Sequence, residues 1–462
     1  MGALMSSNGT LKGEEEIHEL GRGKGVKRRV RTLPADDAGC GWIRILPEPP
    51  AARRLESSER AEAVVVGAGF TGLAIARQLA ELRPGWRVVV LEAQRAGFGA
   101  SGRSSGFLVD RAHFIARMEI AASRRYRDLC RYGIDLLRDA VERHGIACDW
   151  DDAGWLHAAA TAAGAAALPG LRGWLDALGE PYEGLDAAGL RRITGTGCYR
   201  AGVRLPGSVL VQPAALIRGL AAALPAGVEV YEESPVRIIE KAGQGFRLEA
   251  GSGSVAAGRL FLATNGYSPA LGFLRRRVFP LVTFGSLTRS LAVAEQETLG
   301  GEREWGLLSE DAMGSTVRRT RDQRILIRNT VAYVPGFRVG DARLDRAREL
   351  HRRAFLARFP DLREVEFEHT WGGVMGASPN RGHCFGALEE GVFAAAGYTG
   401  AGIAMGTTAG TLLADLALGE DSQRLADMRS LPKPARLPPQ PFLGIGIRWR
   451  VARMNASAGE IL

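Results

Sequence analysis

The chain has 462 residues, 46% of them hydrophobic and 24% charged, and carries a formal charge of +9. This length and balance suit a soluble globular protein of about two domains, and exclude a chain too polar to fold. The positive charge is not a nucleic-acid stripe, because only five of the 60 basic residues are lysine and the arginines are scattered.

In chain order, residues 1–38 are polar and lack a repeating apolar face, so disorder is expected there, including the basic run Arg22 to Arg31. Residues 39–61, with LPEPP, read as an extended lead-in. Ala63–Val66 are small and β-branched, as in a buried parallel strand. Gly67, Gly69 and Gly72 follow as G-x-G-x-x-G. They permit a tight bend, close approach to a pyrophosphate, and helix packing on the sheet. The next helix carries Leu73, Ala76, Leu79 and Ala80 at helical spacing. A second strand, Val88–Leu91, ends at Glu92, whose carboxylate is placed to bind ribose hydroxyls.

Helical spacing returns over 112–143, a strand is expected within 150–160 and a helix over 158–168. Pro213 opens another helix, and VEVYEES, VRIIE, FRLEA and RLFLATN alternate as strands. Residues 280–335 are rich in strand-like runs with a turn at 321–323, and 343–358 is a charged helix. From 371 to 418 the glycine-punctuated α/β pattern returns. The fold expected is α/β: a Rossmann-like dinucleotide domain of discontinuous segments (39–110, 206–270 and 364–420). An inserted α+β substrate domain (111–205 and 271–363) contains a large, mostly antiparallel sheet, and 421–462 is a C-terminal tail.

Three further segments select FAD over a nicotinamide dinucleotide. The loop Gly97 to Gly106 directly follows the ribose acid and offers backbone N–H groups, Ser101 and Arg103 to a pyrophosphate. Thr264 and Asn265 stand at a strand end where backbone passes close to the dinucleotide. Gly397, Thr399, Gly400, Gly402 and Ile403 lead into a helix whose N-terminus suits the pyrimidine edge of a flavin.

These segments, with LVQPAALIRGLA and WGGVMGASPNRGHCFGAL, resemble the D-amino-acid-oxidase-like FAD oxidoreductases, in particular the gamma-glutamylputrescine oxidase-like branch. The resemblance runs from about Trp42 to about Asp421. It implies oxidation of a C–N bond of an amine or amino acid to an imine, by hydride transfer to flavin N5. By position it implies that Gly67, Gly69, Phe70, Thr71, Gly72 and Glu92 hold the ADP half, with Val236 beside the adenine. Ser101 and Arg103 would lie near the pyrophosphate and flavin, and Gly400, Gly402 and Ile403 at the ribityl and pyrimidine end.

The chain departs from relatives that attach FAD through a cysteine before a T-P-D-like turn: the comparable segment 374–380 has none, so FAD is expected to be non-covalent. It also lacks lysine between Lys27 and Lys241 and between Lys241 and Lys433, which disfavours a lysine over the flavin and a Schiff base. Arg318 and Arg328 are candidates to pair with a substrate carboxylate, and His383 to take a proton or satisfy local backbone. Tyr267 and Trp371 read as packing residues near the isoalloxazine. Oxygen or another acceptor completes the cycle, and neither metal, nucleic acid nor membrane is expected. Five separated cysteines without C-x-x-C fit reduced thiols in the cytoplasm. An acceptor-linked FAD dehydrogenase, a nicotinamide-dependent dehydrogenase and a non-catalytic flavin scaffold stay open as alternatives.

Overall fold

The computed structural model describes residues 27–35, 39–111, 119–311, 313–439 and 441–456. The strand Ser58–Val66 runs parallel to Val88–Leu91 on one side and to Gly253–Leu262 on the other. Alternation along its Ala63–Val66 end buries both faces. Ala63 and Val65 join a core with Leu73, Ala76, Leu79, Leu412 and Leu413 of the helices Phe70–Leu82 and Ala404–Leu418. Val64 and Val66 pack instead with Val236, Ile239 and Leu248 from the antiparallel strands beyond. Each valine or leucine contributes about 1.5–3 kcal/mol when fully buried, which is why the Ala63–Val66 end of this strand reads as a continuous apolar run.

Among the described residues nine strands make this sheet. Its main path is Lys27–Arg29, Val236–Ala242, Gly245–Ala250, Gly253–Leu262, Ser58–Val66, Val88–Leu91 and Val228–Tyr231, and the hairpin Cys384–Glu389/Val392–Ala396 joins alongside Gly253–Leu262. Lys27–Arg29 corrects the expectation of disorder through residue 38. This edge strand is held by ladder bonds to Val236–Ala242, while Arg28 lies 4.5 Å from the Phe273 ring centroid and pairs with Glu389 at 3.2 Å. Residues 1–26 and 36–38 lie outside the described residues.

A second sheet of eight strands is ordered Phe367–Ala377, Phe279–Thr288, Ile325–Tyr333, Thr316–Arg319, Trp305–Ser309, Trp155–Ala159, Ala201–Leu205 and Glu183–Asp186. It is antiparallel throughout except between Trp305–Ser309 and Trp155–Ala159. The chain therefore has the α/β, two-sheet architecture expected, but three segment assignments change. Phe367–Ala377 belongs to the second sheet rather than to a dinucleotide segment beginning at 364. Its glycines mark close backbone approach, since a Cβ on Gly373 would meet Arg103 Cβ at 3.2 Å. The helix Ile120–His144 packs into the first core through Tyr126, Leu129, Ile134 and Leu137, although 111–205 was expected in the substrate domain. Gly133 makes this possible, because a Cβ there would sit 2.2 Å from Ala404 O. The stretch 421–462 is more than a tail: Gln423–Ser430 and Phe442–Ala456 are helices. The latter packs Ile447 and Val451 against Leu281, Val331 and Tyr333, and Asn455 Nδ2 donates to Val331 O at 2.9 Å.

No helix among the described residues is long and apolar enough to cross a membrane.

Candidate active site

A long cleft opens where the parallel strands end at the glycine turn. Gly67 has φ +103°, and a Cβ on it would meet Ala263 O at 2.9 Å. A Cβ on Gly72 would lie 1.8 Å from Gly67 O, so the helix Phe70–Leu82 rests directly on the turn. Across the turn, Ser101 Oγ accepts the Phe70 N–H at 3.2 Å, in the space that a side chain at position 69 would fill. The Glu92 carboxylate accepts the N–H groups of Ala68 (2.9 Å) and Gln94 (3.0 Å), which fixes its position at the strand end. This bare glycine wall, helix N-terminus and fixed carboxylate fit an adenine dinucleotide.

The cleft continues along the segments expected to meet the flavin. Gly67, Gly69, Phe70, Thr71, Glu92, Ser101, Arg103, Val236, Thr264, Asn265, Gly400, Gly402 and Ile403 all line it. Gly72 and Gly397 do not, and act through backbone. Gly397 (φ +86°) donates its N–H to Asn265 Oδ1 at 3.0 Å, joining two of the glycine segments. Arg103 is buried, and donates to Phe98 O (2.6 Å) and Gly372 O (2.8 Å), clamping its loop to the second sheet. Trp371 Nε1 and Trp42 Nε1 donate to the carbonyls of Arg103 (3.1 Å) and Ser104 (2.8 Å), holding that loop from behind.

The three candidates for catalysis separate cleanly. Arg328 lines both this cleft and a second cavity, at their junction, and burial pushes its guanidinium down to about 10, still protonated at neutral pH. Arg318 lines neither. It is 1% exposed, donates to Val211 O at 2.6 Å, and pairs with Glu304 at 3.6 Å, so it anchors the sheet to the 211 segment. His383 also lies outside both linings, between the rings of Tyr126 and Tyr398 at 5.7 and 6.0 Å. Its Nδ1 is 3.4 Å from Gly397 O, and burial pushes the imidazole down to about 4. Cys384 lines neither cavity, and burial pushes its thiol up to about 12, which suits an unreactive thiol.

The second cavity, about 640 Å³, lies over the second sheet. Leu308, Thr316, Arg328, Met375 and Gly400 line both spaces, so the two communicate there, and Thr399 faces the second cavity alone. Arg381, which the sequence places near the flavin just after the Ser378-Pro379 turn, lines this chamber, but sequence reasoning missed His157 and Glu310 on its wall and Arg450 and Met454 of the C-terminal helix. It also missed Val30, Thr32, Leu33 and Pro34, which line the dinucleotide cleft. Val30, Leu33 and Pro34 are the apolar hints in that stretch.

Residues 62–416 match the DAO family, described as FAD dependent oxidoreductase. The chain belongs to this family and is an FAD-dependent oxidoreductase. Gamma-glutamylputrescine oxidoreductase of Escherichia coli is 28% identical over 387 residues, covering 82% of this chain and 88% of that protein. A protein of Haemophilus influenzae named "Probable oxidoreductase OrdL" is 28% identical over 407 residues, with the same two coverages. Among solved structures, glycine oxidase from Geobacillus kaustophilus matches with a TM-score of 0.67 at 24% identity, over 79% of this chain and 96% of that one.

Proposed function

We propose that this enzyme oxidises a C–N bond of an amine or amino acid in the second cavity, with a gamma-glutamylputrescine-like compound among the substrates to test. The observation that carries this reading is Arg328, a half-buried cation where the dinucleotide cleft meets the chamber. A planar guanidinium there suits a carboxylate, held by paired N–H donors so that the neighbouring carbon faces the cleft. The relatives named for gamma-glutamylputrescine and glycine support the substrate class.

FAD, once bound, supplies the acceptor for the hydride leaving the substrate carbon. The residues proposed to hold it are those lining the cleft, with Gly72 and Gly397 acting through backbone. Arg328 would orient the substrate, and the apolar walls Leu308 and Met375 would keep bulk water from the reacting carbon. The substrate carbon loses a hydride and its nitrogen a proton, leaving an imine; water then adds to give a carbonyl compound and an amine or ammonia.

Transfer to an acceptor other than oxygen is the second reading. Among the described residues Lys27, Lys241 and Lys433 are absent from both cavity linings. Lys27 and Lys241 instead pair at the surface with Glu240 and Glu390. We place the enzyme in the cytoplasm on the reduced state its separated thiols favour.

Anaerobic titration of the yellow protein with a panel of amines and amino acids tests the reading: one should bleach the flavin without added nicotinamide. A flavin that stays oxidised across the panel would overturn it. Peroxide on readmitting air would then identify an oxidase, and its absence an acceptor-linked dehydrogenase.

A further inference from the structure

The walls of the second cavity are charged unequally, and strand register fixes where each charge lies. Arg328 is paired with Thr316 on the neighbouring strand. Val317 pairs with Leu307 in antiparallel register, so the next residue, Thr316, stands opposite Leu308. Leu308 in turn pairs with His157. Arg328 and His157 thus occupy one row across the sheet, three strand spacings or about 14 Å apart at the backbone. Both line the same cavity.

At the far end of this row His157 Nε2 lies 2.6 Å from Glu310 Oε2, and the imidazole packs against Trp155 with ring centroids 5.5 Å apart. Glu310 and Asp311 supply two carboxylates to this wall. Asp311 is engaged by the N–H groups of Ala160 and Thr161 and by the Thr161 hydroxyl, whereas Glu310 faces the cavity beside His157. Arg111 also lines this end, but its charge is balanced by Asp110 at 2.7 Å and Glu180 at 3.2 Å. The rest of the lining carries Arg328, Arg381 and Arg450, and among the described residues Glu310 and Asp311 are its only carboxylates.

We propose that Glu310, positioned by His157, forms a distal subsite for a cationic group, so that the preferred substrate is two-headed. Its anionic head pairs with Arg328 near the dinucleotide cleft, and its ammonium or similar cation reaches Glu310 across the chamber. This rests on the reading of the second cavity as the substrate chamber. A cavity of about 640 Å³ has room for such a molecule and far exceeds what a two-carbon amino acid fills. The carboxylate gives the cation a charge-assisted hydrogen bond in a partly desolvated site, and Trp155 adds an aromatic face beside it.

The test is a binding measurement that needs no turnover. Calorimetry on the FAD-loaded enzyme compares 6-aminohexanoate with hexanoate, which share a carboxylate and chain length and differ in the terminal ammonium. The aminated ligand should bind about tenfold more tightly or better, and Glu310→Gln should bring the ratio close to one. Equal affinities in the wild type would overturn the proposal without any variant being needed. A ratio unchanged in a Glu310→Gln protein of normal flavin content would also overturn it. Failure of the substrate reading itself shows elsewhere, as a flavin that no amine bleaches, so the two failures are read on different signals.

Discussion

Glu92 and Ala68 are joined by a hydrogen bond of 2.9 Å from the Ala68 N–H to the Glu92 carboxylate, which ties the end of the second parallel strand to the glycine turn. The same carboxylate is proposed to hold the ribose, so it braces the turn and reads the cofactor at once. Glu92→Ala should lower retained FAD at least tenfold, as expected from loss of charge-assisted hydrogen bonds worth about 1.5–3 kcal/mol. The ratio of flavin to protein absorbance after gel filtration checks this. Unchanged flavin content would remove Glu92 from the ribose site.

Gly72→Ala should harm the fold rather than the cofactor contact. Its Cβ would sit 1.8 Å from Gly67 O, and backbone cannot yield as a flexible side chain does. The helix must lift from the sheet, at a cost of about 1–3 kcal/mol or more. Urea unfolding of the apoprotein would show it as a lower midpoint.

Two arginines on neighbouring strands should respond in opposite ways. Arg328→Ala should raise KM for a carboxylate-bearing substrate by about 10–100-fold, with flavin content and melting temperature little changed. Arg318→Ala should instead lower the melting temperature, because it strands the Val211 carbonyl and leaves Glu304 only the exposed Arg321 as a cation. Steady-state kinetics and thermal melts on both variants, measured side by side, decide this.

His383 gives stability a pH dependence of definite sign. Its imidazole is held near 4 by burial, against 6.5 in the unfolded chain. Between those values the unfolded state binds the proton and the folded state does not, so stability falls as pH drops through this window. The contribution is fully present above about pH 7 and is reduced by about 2 kcal/mol at pH 5. His383→Gln should shrink the difference in urea stability between pH 7.5 and pH 5 by that amount. A profile as steep as the wild type would show that other groups dominate.

The first sheet was legible because its signals are local. Val88–Leu91 and Glu92 announce themselves by residue type and spacing, and the turn glycines by their pattern. What escaped the sequence depends on distant partners. Lys27–Arg29 becomes a strand through ladder bonds that leave no mark on side chains, so its charge was the visible feature. Phe367–Ala377 carries Gly372, Gly373 and Gly376, which look like loop punctuation. They are needed where the strand presses on Val282, Arg103 and Asn265. Arg318 and Arg328 were indistinguishable in sequence, since only register and burial show which of them reaches a cavity. His157 and Glu310 are separated by 153 positions along the chain and meet only because their strands run side by side.

The cleft also fixes an order of events during synthesis. Its walls draw on Val30, on Gly67 and Glu92, on Asn265, and finally on Gly402 and Ile403. The strand Val392–Ala396 and the helix Ala404–Leu418 complete the first sheet's pairing and its core only at that last stage. A nascent chain on the ribosome therefore has no finished nucleotide site until Ile403 and the helix Ala404–Leu418 have been made. Flavin capture is then a late event that closes folding, and riboflavin-starved cells should accumulate full-length, protease-sensitive apoprotein rather than truncated fragments.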